Sequence, residues 1–320
     1  MFSRRRPRAP VNNKHESVTL RAATRSGRYQ IAATVIGVLL TAGSGYAVWL
    51  LTQSHSASSE SGSSSIRSAE QSSNQPVKIE QVSQIYTGPN YSFVVPGKLQ
   101  LTSAQLSDLN QRERTSSTYL GTFETAHHSV ALTSGYISAT LMGNEPRTIT
   151  ITSLEVIKSC QPPLAGTFFF TPSAGESNTI SLGFDLDSQD LYAQNTIAGR
   201  TYSGNFFQDH VITLTQGETH TLAIYVTSYH YYCKFSFRMT VATPKGVLTE
   251  SIMNGRRPFQ LTAFAGSSDV DTGAMNLSAY RAVYVGGLAD TQNDANWIEV
   301  NPATYNGLGN PASFPPTTSH

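Results

Sequence analysis

Three groups of side chains in this chain of 320 residues have the types and spacing to do chemistry. Asp185, Asp187 and Asp190 fall within one short stretch, Asp185-Leu186-Asp187-Ser188-Gln189-Asp190. Carboxylates leaving a strand at that spacing could wrap a calcium ion, which takes about six to eight oxygen ligands. The stretch lacks the glycine and the closing glutamate of an EF-hand, and a solvated turn is the plainer alternative. Tyr225, Tyr229, Tyr231 and Tyr232 form the second group, an aromatic-rich hairpin that also holds His230. Tyrosines near a turn stack on sugars or anchor a protein partner, because they bury a large area at small entropic cost. The same residues also fill sandwich cores. Cys160 and Cys233, the two cysteines of the chain, are the third group. An even count fits one disulfide in an oxidising compartment, with two separate buried thiols as the alternative.

Other chemistry finds less support. Glycoside hydrolysis needs two carboxylates flanking a sugar, and Glu155, Asp185, Asp187 and Glu299 are available from strands, but no spacing singles out a pair. His210, His220 and His230 recur every ten residues, without cysteine or acid partners at zinc-ligand spacing. No nucleophile elbow, HExxH, P-loop or GxGxxG loop occurs, so the usual hydrolases, metalloproteases and nucleotide binders lose their signature.

The element that must position everything else is the run from Ile31 to Leu51, IAATVIGVLLTAGSGYAVWLL, which carries no charge. At 1.5 Å per helical residue it covers about 31 Å, close to the hydrocarbon thickness of a bilayer. Residues 29–51 therefore read as a transmembrane helix. Eight basic residues and one acid precede it in residues 1–28, and the first basic residue beyond it is Arg67. That asymmetry puts the N-terminal tail in the cytoplasm and the rest of the chain outside the plasma membrane. A cleaved secretory signal is the competing reading. The span is too long for one and leaves through Val48-Trp49-Leu50-Leu51 with no small-x-small site, which favours an uncleaved signal-anchor. Gly37, Thr41 and Gly45 lie four apart, a face on which a second copy's helix could pack into a homo-oligomer; ordinary glycine use in a span is the alternative. The basic tail lacks aromatic interleaving and any helix-turn-helix or zinc pattern, so no nucleic-acid partner is expected.

Residues 52–75 are dominated by serine and read as a flexible tether. Residues 76–306 read as one extracytoplasmic domain, mainly β, and residues 307–320 as a loose tail. Thr102 and Ser103 can cap a short helix carrying Leu106 and Leu109. Elsewhere short strands dominate, the clearest being TITITSLEVI at 148–157, with turn signals at sandwich-like intervals. The expected architecture is an antiparallel β-sandwich or jelly-roll-like domain. An immunoglobulin topology is the alternative: the two cysteines are spaced like its inter-sheet bridge, and Tyr231 stands two residues before the second, although no tryptophan lies between them.

Pro163-Leu164-Ala165-Gly166-Thr167-Phe168-Phe169 and Phe184-Asp185-Leu186-Asp187, on this layout, resemble single-pass actinobacterial membrane proteins with a basic tail, a serine-rich tether and a β-rich outer domain. The resemblance implies topology and carries no catalytic residue. The expectation is a membrane-tethered extracytoplasmic module that binds an envelope protein or glycan. A glycan-active enzyme and a purely structural envelope protein are the alternatives. No cofactor is expected beyond the calcium candidate.

Overall fold

The computed structural model describes residues 75–85, 92–116, 118–171, 182–197, 201–287 and 296–309, all within the unit Ser64–His320. The basic tail, the apolar span, nearly all of the tether and residues 310–320 lie outside the described residues. Among the described residues no helix is long and apolar enough to cross a membrane.

The described residues begin with strands β1 (Val77–Ile85) and β2 (Phe93–Val95), then helices α1 (Ser103–Thr115) and α2 (Tyr119–Ala126). Next come β3 (Val130–Leu132), β4 (Ser134–Gly143), β5 (Ile149–Gln161), β6 (Thr167–Phe170), β7 (Leu182–Asp185), β8 (Gln194–Ile197) and β9 (Thr201–Asn205). A single helical turn, α3 (Phe206–Asp209), leads to β10 (Ile212–Leu214), β11 (Thr219–Thr227), β12 (Tyr232–Thr243), β13 (Gly246–Ile252) and β14 (Phe259–Thr262). The chain closes with β15 (Ser267–Ser268), β16 (Met275–Asn276), β17 (Ala282–Val285) and β18 (Ile298–Val300).

Two sheets carry the fold. The first runs β1-β4-β11-β7-β8-β9, the second β10-β5-β12-β14-β3-β2-β6-β17-β18, with β13 added beside β12. β12 is long enough to serve two neighbours on one side: Tyr232 to Phe235 pair with β14, and Phe237 to Thr243 with β13. The β-sandwich expected from the sequence is present where the first sheet covers β5, β12 and β13. Alternation explains it. Ile137, Ala139 and Leu141 of β4 point inward, as do Leu222, Ile224 and Val226 of β11, onto Leu154, Val156, Phe237 and Met239 opposite. The sheets are mixed rather than purely antiparallel, because β7 joins β11, β3 joins β14 and β17 joins β6 in parallel. Each of those pairs is far apart in sequence, so a hairpin does not dictate its direction.

Beyond β14 the second sheet continues past the sandwich and is covered on both faces. Phe93, Phe169 and Tyr284 face helices α1 and α2 together with Trp297. Val94, Phe168, Val283 and Val285 face Leu277, Tyr280 and Tyr305 on the other side. This is why Phe93-Val94-Val95, Phe168-Phe169-Phe170 and Ala282-Val283-Tyr284-Val285 read as unbroken apolar runs: neither face meets water. Phe93 and Tyr284 stack on Phe169 at 4.7 and 4.9 Å, with Trp297 edge-on at 5.2 Å. Helix α1 starts at a capping box, Thr102 accepting from Gln105 N–H while the Gln105 side chain accepts from Thr102 N–H. It is fastened by Asn110, whose amide exchanges two hydrogen bonds with the Trp297 backbone, and by buried Glu113, which accepts from the Trp297 indole at 2.6 Å.

Candidate functional site

Cys160 and Cys233 form a disulfide. They lie directly opposite each other on β5 and β12, with Cα atoms 4.1 Å apart, so the bridge links neighbouring strands of one sheet. An immunoglobulin bridge joins two sheets, and that alternative is thereby corrected. The bridge closes the end of the sandwich at which β12 begins, and the other two groups gather at the same end.

The four tyrosines divide. Tyr225 is 3 % exposed and Tyr232 5 %, whereas Tyr229 is 58 % and Tyr231 46 % exposed. Tyr232 lies within the β12 pairing, its hydroxyl donating to the Gln260 side chain. Tyr225 sits on the outer face of the first sheet, walled by its cross-strand partner Tyr136. Across from it Gly183 leaves the space occupied by Tyr202, since a Cβ on that glycine would come within 2.6 Å of the Tyr202 ring. The Tyr202 hydroxyl donates to Phe184 O at 3.1 Å and pairs with Thr227 Oγ1 at 2.9 Å. Burial pushes that phenol well above its ordinary range. Tyr225 and Tyr232 are therefore framework, a correction to the four-tyrosine surface expected from the sequence. Tyr229 and Tyr231 remain as candidates, on the turn between β11 and β12.

Asp187 holds that turn. Its Oδ2 accepts from Tyr229 N–H at 2.6 Å, from His230 N–H at 3.1 Å and contacts His230 Nδ1 at 3.0 Å. Its Oδ1 accepts from the Ser228 hydroxyl at 2.9 Å. Ser228, fully buried, has its N–H on Thr133 O. The remaining acids of the stretch are similarly engaged. Asp185 accepts from Asp187 N–H, and Asp190 from Tyr192 N–H and the Gln194 amide. Lys158, reaching from β5, donates to Leu186 O at 2.7 Å and Ser188 O at 2.5 Å. Burial lowers the Lys158 ammonium from its ordinary range, with Asp185 and Asp187 pulling the other way. Among the described residues no group of three or more His, Cys, Asp or Glu side chains gathers as a metal would require. The acidic stretch acts as a clamp on the neighbouring turn.

The remaining acids, Glu155 and Glu299, and the histidines are dispersed. Glu155 on β5 pairs with Arg238 at 3.3 Å, and Glu299 on β18 lies seven strands away in the same sheet, roughly 30 Å at ordinary strand spacing. His220 lies near the start of β11 and His230 in the turn beyond its end, roughly 20 Å of strand between them, so pairing does not unite them. His210 stacks on Phe206 at 4.3 Å.

A groove of about 440 Å³ lies along α1, lined by residues that include Leu106, Asn110, Arg114 and Asn296. Arg114 donates to the Asn296 side chain across it. Nothing in the sequence marked this groove, because its far wall comes from a residue 182 positions on.

Comparison of the chain with protein-family models, with curated proteins and with solved structures found no match.

Proposed function

We propose that this chain is a membrane-tethered extracytoplasmic binding module whose contact surface is the Tyr229–His230–Tyr231 turn. One observation carries the reading: two large aromatic side chains stand in solvent on a turn whose backbone is already held by a buried-side carboxylate. Preorganisation of that kind removes part of the ordering cost of association. The adjoining outer face of the first sheet favours an envelope glycan over a protein as ligand. The outward residues of β4 and β11 include Ser138, Thr140 and Thr221, carry no charge, and end at Tyr136. Hydroxyl groups beside aromatic rings suit a neutral polyhydroxyl chain, which stacks its apolar C–H faces and hydrogen-bonds at its edges. The apolar span, the basic tail and the disulfide support anchoring in the plasma membrane with this domain outside, in keeping with the resemblance to actinobacterial single-pass proteins.

The test uses the full chain in detergent micelles and fragments of envelope polysaccharide. Wild type is expected to bind a fragment, and Tyr229→Ala with Tyr231→Ala to weaken it at least about tenfold, in the range of a contact hot spot, with melting unchanged. Equal binding by wild type and the double variant would refute the assignment of the turn. Capture of an envelope protein in place of any glycan, lost in the same variant, would transfer the site to a protein partner.

A further inference from the structure

Val77 opens β1, the first of the described strands, and it is fully buried. Its N–H donates to Glu250 Oε1 at 3.1 Å. Val77 belongs to the first sheet and Glu250 to β13 at the margin of the second, so this bond ties the two sheets across the open side of the sandwich. Glu250 is only 4 % exposed. Its second oxygen, Oε2, is buried without a hydrogen-bond partner among the described residues, and so is Gln75 Oε1 two residues before the strand. On β13 every residue from Gly246 to Thr249 is exposed, as is Ser251; Glu250 and Ile252 alone turn inward. An acid has been placed where the pattern calls for an apolar residue.

Among the described residues no opposite charge accompanies it. Its strand partner on β12 is Met239. On β1, Lys78 and Glu80 pair with each other at 2.8 Å and are exposed. Beside the ends of the neighbouring strands, Lys245 and Glu145 likewise pair with each other, at 3.4 Å. A carboxylate in this position accepts one N–H bond and leaves its other oxygen dry, whereas the neutral acid has no charge to solvate.

β1 also has a natural breaking point. Its register against β4 shifts between Ile79 and Gln81, separating Val77, Lys78 and Ile79 from the rest of the strand. A bulge leaves the ladder locally disrupted at that point.

We propose that Glu250 is a proton-operated latch on the segment that joins the domain to its tether: as the neutral acid it holds Val77 to Ile79 in the sandwich, and as the carboxylate it releases them. The proton affinity agrees with the geometry, since burial raises this carboxyl from 4.5 to about 7, against the opposing effect of the Val77 N–H. The folded group thus keeps its proton to higher pH than the released one. The stabilisation it confers is complete below about pH 4.5 and is lost as pH rises through about 7. Release of residues 75–79 would lengthen the tether by roughly 15 Å at extended-chain spacing.

Amide hydrogen exchange on the full chain in detergent micelles, normalised to the intrinsic chemical rate at each pH, reads the latch directly. Linkage predicts that opening at Val77 and Lys78 rises roughly 30-fold between pH 5.5 and 8.5, while Ser83, whose N–H faces β4 beyond the bulge, stays protected. Glu250→Gln keeps an oxygen for Val77 N–H and cannot ionise, so its protection should not change with pH. Protection of Val77 and Lys78 in wild type that is independent of pH would overturn the proposal, with no need of the variant. The same pH-dependent loss in Glu250→Gln would overturn it equally.

Discussion

Replacing Asp187 by alanine removes the acceptor that holds the tyrosine turn. The wild-type carboxylate takes four contacts: the Ser228 hydroxyl, two backbone N–H groups and the His230 ring. Each hydrogen bond to a charged group contributes about 1.5–3 kcal/mol when buried. Tyr229 and His230 are exposed, so water can take the place of the carboxylate for three of the four. Buried Ser228 keeps a second outlet, its hydroxyl donating to Tyr231 O at 2.8 Å. Counting one full bond and fractions of the others, the expected loss is roughly 2–3 kcal/mol, or about 4–12 °C in melting temperature for a domain of this size. Asp187→Asn should cost under about 1 kcal/mol: its carbonyl can serve the two backbone N–H groups while its amide donates to the Ser228 oxygen. Thermal melting of the full chain in detergent gives the stability, and hydrogen exchange at the Tyr229 and His230 amides gives the turn. Both amides should lose their protection in the alanine variant and keep most of it in the asparagine variant. If the alanine variant melts within about 1 °C of wild type with both amides unchanged, the carboxylate does not organise the turn, and the preorganisation argument for binding fails with it.

Two further changes probe the frame around that turn. Reducing the Cys160–Cys233 bridge reopens a loop with a sequence separation of 73. The chain-entropy model assigns such a closure about 4 kcal/mol, so melting in strong reductant should fall by roughly 8–15 °C; no shift would mean that the β5–β12 ladder restricts the unfolded chain by itself. Gly183→Ala drives a methyl group to within 2.6 Å of the Tyr202 ring and 2.8 Å of Thr196 Cγ2. The expected cost is about 1–3 kcal/mol by overpacking, and it should fall by more than half in a Tyr202→Ala background; equal costs in both backgrounds would place the clash elsewhere.

Much of the strand content was legible because it is a local property. Residues 148–157 alternate threonine and isoleucine in their first half, and β5 covers 149–157 of that stretch with Ile149, Ile151, Leu154 and Val156 inside. Thr102 and Ser103 announced the start of α1 for the same reason, since a cap is a local feature, and Thr102 is the N-cap. The apolar runs at 93–95, 167–170 and 282–285 announced strands but not their setting. That they are covered on both faces depends on helices and loops lying up to about two hundred residues away along the chain. The short strands β3, β8, β9 and β13 escaped notice, because three to seven residues without sustained alternation carry little periodic signal.

Composition and charge order by themselves determined the expected layout of the chain: a basic tail, an apolar span of bilayer length, a serine-rich tether and a β-rich domain. Those properties need no knowledge of which residue meets which. Tertiary structure alone decided which tyrosines face water, because Tyr225 is closed off by Tyr136, 89 positions before it, and by Tyr202. It alone turned Asp187 from a cation ligand candidate into the clamp of a turn some 40 residues downstream. And it alone exposed the predicament of Glu250, an unremarkable acid in a polar stretch until Val77, 173 positions earlier, folds over it. Burial and hydrogen-bond partnership are properties of neighbours in space, and in a mixed sheet those neighbours are chosen by the whole chain.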